Sequence, residues 1–366
     1  MKAVALTCFE SNEERVRFVC EACRMKGYET SVVTSDFSHA RKQKRKTVPD
    51  DYRAIDTIPY QKNLSIARMY SHRKFAKDAF KYIQELKPDL IWLMTPANSL
   101  IKEADRYKKK NPSVKIVIDM IDMWPESLPF SFSKDLFPFA IWKKIRKDHL
   151  SCADYLVSEC NLYQDILKNE YNGPMKTIYW SRDSKAVKEK AILPNDRLSL
   201  CYIGSINNII DIDRITELIG NCDAPVILHI IGDGENKDRM INTMDKICEV
   251  VYHGVIHDEK EKSEIFRNCH AGINVYKEGL YIGLTVKCID YFEHGLPVIS
   301  NIKGDTWRLV ENYHAGINVD DKTAIHCSEI IDFRENNGNI YRLFEENFTK
   351  KIFIKNCQEV LDEVMK

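Results

Sequence analysis

A repeated pattern of short apolar runs, each closed by a turn and followed by helix-like sequence, constrains this chain more than any other feature. In the first half the runs fall at residues 3–7, 29–34, 90–94, 115–118 and 153–158, the last clear strand there. In the second they fall at 198–203, 226–231, 250–253, 271–275 and 298–299. Short apolar runs suit strands buried on both faces, and strands alternating with helices build parallel sheets. A chain of 366 residues exceeds one ordinary core and implies two such α/β domains. The polar, Lys-rich stretch 183–195 reads as the linker, giving domains at 1–194 and 195–349. The amphipathic segment within 350–366 is expected to pack back on the first domain.

With 44% hydrophobic and 30% charged residues, the composition is that of a soluble globular protein. No run of some twenty apolar residues occurs, and acidic residues follow the N-terminus at once, so a cytoplasmic location is expected. Twelve cysteines are scattered without zinc spacing; the one CxxC, Cys20 and Cys23, reads as buried free thiols. Net charge is zero, yet residues 1–194 carry 35 Lys and Arg against 25 Asp and Glu, and the remainder carries 19 against 29. The basic half, with its patch at 41–46, would favour an anionic membrane surface or a phosphorylated acceptor. No zinc-finger spacing or RNA-binding signature supports nucleic acid as a partner. Residues 128–147 set aromatic residues beside a Lys/Arg cluster, which fits either an interfacial helix or a core-facing helix with a basic outer face.

The most informative stretch is 276–301, YKEGLYIGLTVKCIDYFEHGLPVISN. Gly279 and Gly283 mark a loop, Thr285 is a plausible N-cap, and a helix over 286–294 stops at Gly295. Lys287 stands in the first turn, where the macrodipole disfavours a cation. An anion at that helix start reverses the conflict, since loop N–H groups, dipole and ammonium would converge on one phosphate. Asp290 lies on the same face and could accept from sugar hydroxyls; an ordinary i,i+3 surface pair with Lys287 is the alternative.

Other strand ends add candidates. Gly204, Ser205 and Asn207 turn off the run 198–203 toward a helix, as phosphate-holding turns do. Gly232 and Gly234 end the run 226–231 and permit close backbone approach. In the first half the opening turn, Cys8 to Asn12, has no G-x-G-x-x-G, which argues against a nicotinamide or flavin site. Asp119, Asp122 and Glu126 cluster after the run 115–118, where open parallel sheets bind ligands; capping or bridging is the structural alternative. Asp211-Ile-Asp213 is formally a D-x-D, but its place before a helix favours capping, and no metal is expected.

The stretches IGSINNIIDID (203–213), IIGDGE (230–235), YHGVIHDEKEKSEIFRNCHAGINVY (252–276), GLTVKCIDYFEHGLPVISN (283–301) and KGDTW (303–307) resemble GT-B-fold glycosyltransferases. The similarity is greatest to the family-four enzymes of bacterial capsular and surface polysaccharide assembly. DMIDMWPESLP (119–129) and CADYLVSEC (152–160) fit as well.

The resemblance implies two Rossmann-like, doubly wound domains facing a cleft, the nucleotide-sugar on the second and the acceptor on the first. Lys287 and Asp290 stand where the family binds diphosphate and ribose. Gly204 and Ser205 match its phosphate loop, and the Val255 and Ile256 backbone would contact the base. Tyr276, Gly283, Leu284 and Thr285 complete the expected nucleotide-sugar set. Three departures are visible: Ile282 occupies the position of the first of the family's paired glutamates, with Glu278 further back as its substitute; Ser205 and Asn207 stand where basic residues often follow the phosphate loop; and Ile121 replaces a histidine before Asp122.

The implied activity is a metal-independent, retaining hexosyl transfer from a UDP-sugar to a free or lipid-linked glycan at the inner face of the plasma membrane. No cofactor is implied. Asp122, supported by Glu126 or Asp119, would orient or deprotonate the acceptor. A UDP-sugar epimerase of the same fold, or a non-catalytic partner of an active transferase, stands as the alternative.

Overall fold

The computed structural model describes residues 1–63, 65–128, 139–184, 191–320 and 323–366. Two compact units make up the chain, Met1–Trp180 with Lys350–Lys366, and Ser181–Thr349. The division falls at Trp180, ahead of the Lys-rich stretch. Residues 185–190 of that stretch, and the Phe-rich residues 129–138, lie outside the described residues.

In chain order the first unit contains β1 (Lys2–Leu6), α1 (Glu13–Met25), β2 (Glu29–Ser35), the short pair β3 (Phe37–Ser38) and β4 (Gln43–Lys44), β5 (Tyr52–Ile55) and α2 (Ile66–Leu86). There follow β6 (Leu90–Thr95), α3 (Asn98–Lys110), β7 (Lys115–Met120), α4 (Phe139–His149), β8 (Tyr155–Ser158), α5 (Asn161–Leu167) and β9 (Met175–Thr177). Seven strands form one parallel sheet in the order β5-β2-β1-β6-β7-β8-β9. The apolar runs mark its central strands. Edge strands β5 and β9 escape that reading because they keep polar, half-exposed residues and cover little core.

The second unit runs β10 (Leu198–Ile203), α6 (Ile212–Gly220), β11 (Val226–Ile231), α7 (Lys237–Met244), β12 (Glu249–Gly254), α8 (Glu259–Arg267) and β13 (Ala271–Asn274). It continues through α9 (Val286–Glu293), β14 (Val298–Ser300), α10 (Asp305–Tyr313), β15 (Gly316–Asn318), α11 (Cys327–Glu335) and α12 (Gly338–Asn347). Its six parallel strands are ordered β12-β11-β10-β13-β14-β15. Strand order reverses between β10 and β13, and between β1 and β6 in the first unit. Doubly wound sheets bind ligands beyond the strand ends at such a reversal.

The last helix, α13 (Lys350–Val364), belongs to the first unit. Its apolar stripe, Phe353, Cys357, Val360, Leu361 and Val364, joins the core around Phe18, Val32 and Trp92. Phe18 and Phe353 meet edge-on with ring centroids 5.6 Å apart, and Lys350 pairs with Glu21 at 2.8 Å. Burial raises the thiols of Cys20 and Cys23 to about 11 and about 12, so both stay protonated and inert. No helix among the described residues is long and apolar enough to cross a membrane.

Candidate functional site

In the second unit, the ends of β10 and β11 are locked together by backbone. Gly204 N–H donates to Ile231 O at 2.9 Å, Ile206 N–H to Asp233 O at 2.9 Å, and Gly232 N–H to Gly254 O at 2.7 Å. A Cβ on Gly232 would lie 2.0 Å from Gly204 O, and one on Gly234 2.4 Å from Ile206 O. The G-x-G glycines let the neighbouring turn approach: two turns pack backbone to backbone, and Gly232 does so at φ +137°. Asn207 is occupied locally, its Oδ1 accepting from Ile209 N–H at 3.2 Å. Ser205 is exposed, and its carbonyl accepts from the Tyr202 hydroxyl at 2.8 Å.

Across the reversal, β13 leads into Tyr276, which an isolated bridge to Ile210 and two hydrogen bonds with Asn301 hold beside the first turn. Thr285 occupies the N-cap position of α9 without capping; its hydroxyl donates to Asn274 Oδ1 at 2.8 Å. Gly283 O accepts from both Thr306 N–H and Thr306 Oγ1 at 2.9 Å, fixing the loop before α9, where Leu284 is half-buried.

Lys287 is the centre of this arrangement. Its side chain is buried, with Nζ 4.0 Å from the Tyr202 ring centroid and 5.0 Å from that of Tyr276. Among the described residues Nζ finds no hydrogen-bond partner. Its carbon chain also bounds Gly204, where a Cβ would sit 3.6 Å from Lys287 Cε. Burial lowers the amine to about 7, so about half the molecules carry a neutral lysine at neutral pH. Two aromatic faces recover part of the lost solvation, and an anion would recover more.

Asp290 lies one turn further along α9, and Arg182 holds its Oδ1 with Nε at 2.9 Å and Nη2 at 2.8 Å. The alternative reading, an i,i+3 surface pair of Lys287 with Asp290, is absent among the described residues. Val255 is exposed and Ile256 half-buried, just past the edge strand β12, two strands from β10. Asp211 caps α6 through Arg214 N–H at 3.0 Å, and Asp213 pairs with Arg239 at 2.6 Å.

The first unit separates the three acids of 119–126. Asp119 must be withdrawn from the catalytic set: it is fully buried, bound by Arg15 at 2.8 and 2.9 Å, and accepts from Trp92 Nε1 at 3.1 Å. Glu126 is half-buried and clamped by both Nη atoms of Arg146 at 2.7 and 2.8 Å. Asp122 is half-buried at the strand end and faces no cation at hydrogen-bond distance among the described residues, accepting from Trp124 Nε1 at 2.7 Å and from the Ser127 hydroxyl. Burial raises its carboxyl.

Glu159, which spacing did not single out, follows β8 and accepts from Trp180 Nε1 at 2.7 Å. Burial, and then the charge of nearby Asp122, pushes it up to about 8. Glu159 thus retains its proton at neutral pH, near enough to Asp122 to feel its charge. Beside them, the Arg68 guanidinium lies 4.1 Å over the Trp124 ring, and neutral His72 stacks on the same indole at 6.0 Å.

No protein-family profile and no curated protein matches the sequence. Solved structures do. Sucrose-phosphate synthase from Thermosynechococcus elongatus is similar over 100% of this chain and 99% of its own, with a TM-score of 0.72 at 12% identity. The chain has the GT-B fold. The lipopolysaccharide outer core galactosyltransferase WaaB, in its apo form, aligns over 100% and 99% with a TM-score of 0.68 at 12% identity. HepE of Anabaena, in complex with UDP and glucose, aligns over 99% of each chain with a TM-score of 0.65 at 13% identity.

Proposed function

We propose that this protein is a glycosyltransferase that moves a sugar from a UDP-linked donor to a lipid-linked glycan of the cell surface, without a metal and with retention at the anomeric carbon. The observation that carries the reading is the Lys287 amine, buried without a hydrogen-bond partner among the described residues at the start of α9 beside the β10 turn. As the glycosidic bond breaks, the departing diphosphate gains charge. Lys287, the amides before α9 and Ser205 would stabilise it there, and loss of one such donor costs on the order of a hundred- to a thousand-fold in rate. Structural neighbours that include a galactosyltransferase and a protein crystallised with UDP and glucose support the donor class. Asp122, with its raised carboxyl and the Glu159 proton beside it, is the group proposed to orient or deprotonate the acceptor hydroxyl.

The test is calorimetric titration of UDP into the wild type and Lys287→Ala, followed by donor consumption with and without a lipid-linked glycan in the presence of EDTA. Binding that weakens in the variant, and turnover that requires the acceptor and survives the chelator, are expected. Acceptor-independent conversion of the donor would mean an epimerase. Asp122→Asn should keep UDP affinity within about twofold while lowering transfer by about a hundredfold or more.

A further inference from the structure

The first unit carries a groove that adjoins the carboxyls of the proposed acceptor site but lies outside them. It lies among α2, α3 and α4 and encloses a cavity of about 480 Å3, within the usual range for a small-molecule site. Trp124 and Trp142, stacked with centroids 5.6 Å apart, line it together with Ile66, Met69, Ile141 and Ile145. Large apolar side chains stand open to solvent here: Ile66 is 78% exposed, Tyr70 61% and Ile141 42%. A soluble chain seldom gathers such residues on one concavity without a ligand to cover them.

The same groove is lined by Arg73, Lys102 and Arg106, with Glu103 offsetting one of these cations through its 2.6 Å pair with Arg106. Hydrocarbon surface with an excess of positive charge is complementary to a chain that ends in an anion. The concavity favours a single chain over the flat face of a bilayer. Trp124 is shared between the two sites: its ring lines the groove while its Nε1 donates to Asp122. Whatever fills the groove is one side chain away from Asp122.

We propose that this groove binds one single-chain anionic amphiphile, a hydrocarbon tail bearing a phosphate, as the lipid portion of the acceptor. Its role as acceptor rests on the glycosyltransferase reading; the binding does not. Dodecyl phosphate, titrated below its micelle concentration into the full chain and followed by tryptophan fluorescence, is expected to saturate a single site. Ile66→Asp/Ile141→Asp, at exposed positions, should weaken binding by about tenfold or more. Arg73→Glu/Lys102→Glu should weaken dodecyl phosphate by about tenfold while leaving dodecanol unchanged.

Should either double variant fold poorly by circular dichroism, a photoactivatable alkyl phosphate on the wild type should label α2 or α4 in peptide mapping. Absence of saturation, labelling elsewhere, or binding unaffected by both double variants overturns the proposal. So does binding only to phosphatidylglycerol vesicles, or a monomer–dimer equilibrium abolished by Ile66→Asp/Ile141→Asp. A parallel UDP titration separates the two readings. Amphiphile bound without UDP sinks the transferase and leaves the groove standing; UDP bound without amphiphile sinks the groove alone.

Discussion

If Lys287 waits partly neutral for an anion, UDP binding must draw a proton from the buffer. Burial holds the empty-state amine at about 7. A diphosphate beside it would return it toward the ordinary lysine value of about 10.4. At pH 8 roughly one molecule in ten is protonated before binding and nearly all after, an uptake of about 0.9 proton per UDP; at pH 7 the uptake falls to about 0.5. Calorimetry at pH 8 in Tris and in a sulfonate buffer of lower ionisation enthalpy reads this directly from the difference in apparent heat.

The same displacement fixes the sign of a stability effect. The unfolded lysine binds a proton up to about pH 10.4, whereas the folded one has lost it by about pH 8. The unfolded state therefore holds more protons between pH 7 and about 10.4, and this group makes stability rise with pH across that window. Lys287→Met should abolish both the uptake and the slope. Equal heats in the two buffers at pH 8, or the same uptake in Lys287→Met, would refute the argument.

Three further perturbations separate structure from chemistry. Asp119→Ala strands the buried Arg15 guanidinium and should cost about 3–5 kcal/mol in urea unfolding, a loss that a catalytic role would not require. Glu159, raised to about 8, binds its proton in the folded state where the unfolded chain has lost it. Its contribution is full at low pH and fades as pH rises through 8, so Glu159→Gln should gain stability relative to wild type between pH 5 and pH 9 in thermal melts. Gly232→Ala places a Cβ 2.0 Å from Gly204 O at φ +137° and should lose at least about 2 kcal/mol, with UDP affinity falling as the β10 turn shifts.

Local pattern alone determined the repeating strand–helix order, the central strands of both sheets, the break at Gly295 and the conflict of Lys287 with its helix dipole. Each of these is a matter of neighbours within a few residues, where periodicity and capping chemistry act directly. Only the tertiary structure decided which acids are held by an arginine. Asp119, Asp122 and Glu126 look equivalent along the chain, yet Asp119 is consumed by Arg15, 104 residues away, and Glu126 by Arg146. Likewise Asp290 is held by Arg182 across 108 residues, and the aromatic walls around Lys287 come from the ends of β10 and β13. Glu159 stayed invisible because its high pKa arises from burial and from Asp122 just past the neighbouring strand, neither of which leaves a mark in local sequence. A lysine in a first helical turn can be read from a string of letters; whether it has company depends on where the sheet folds back.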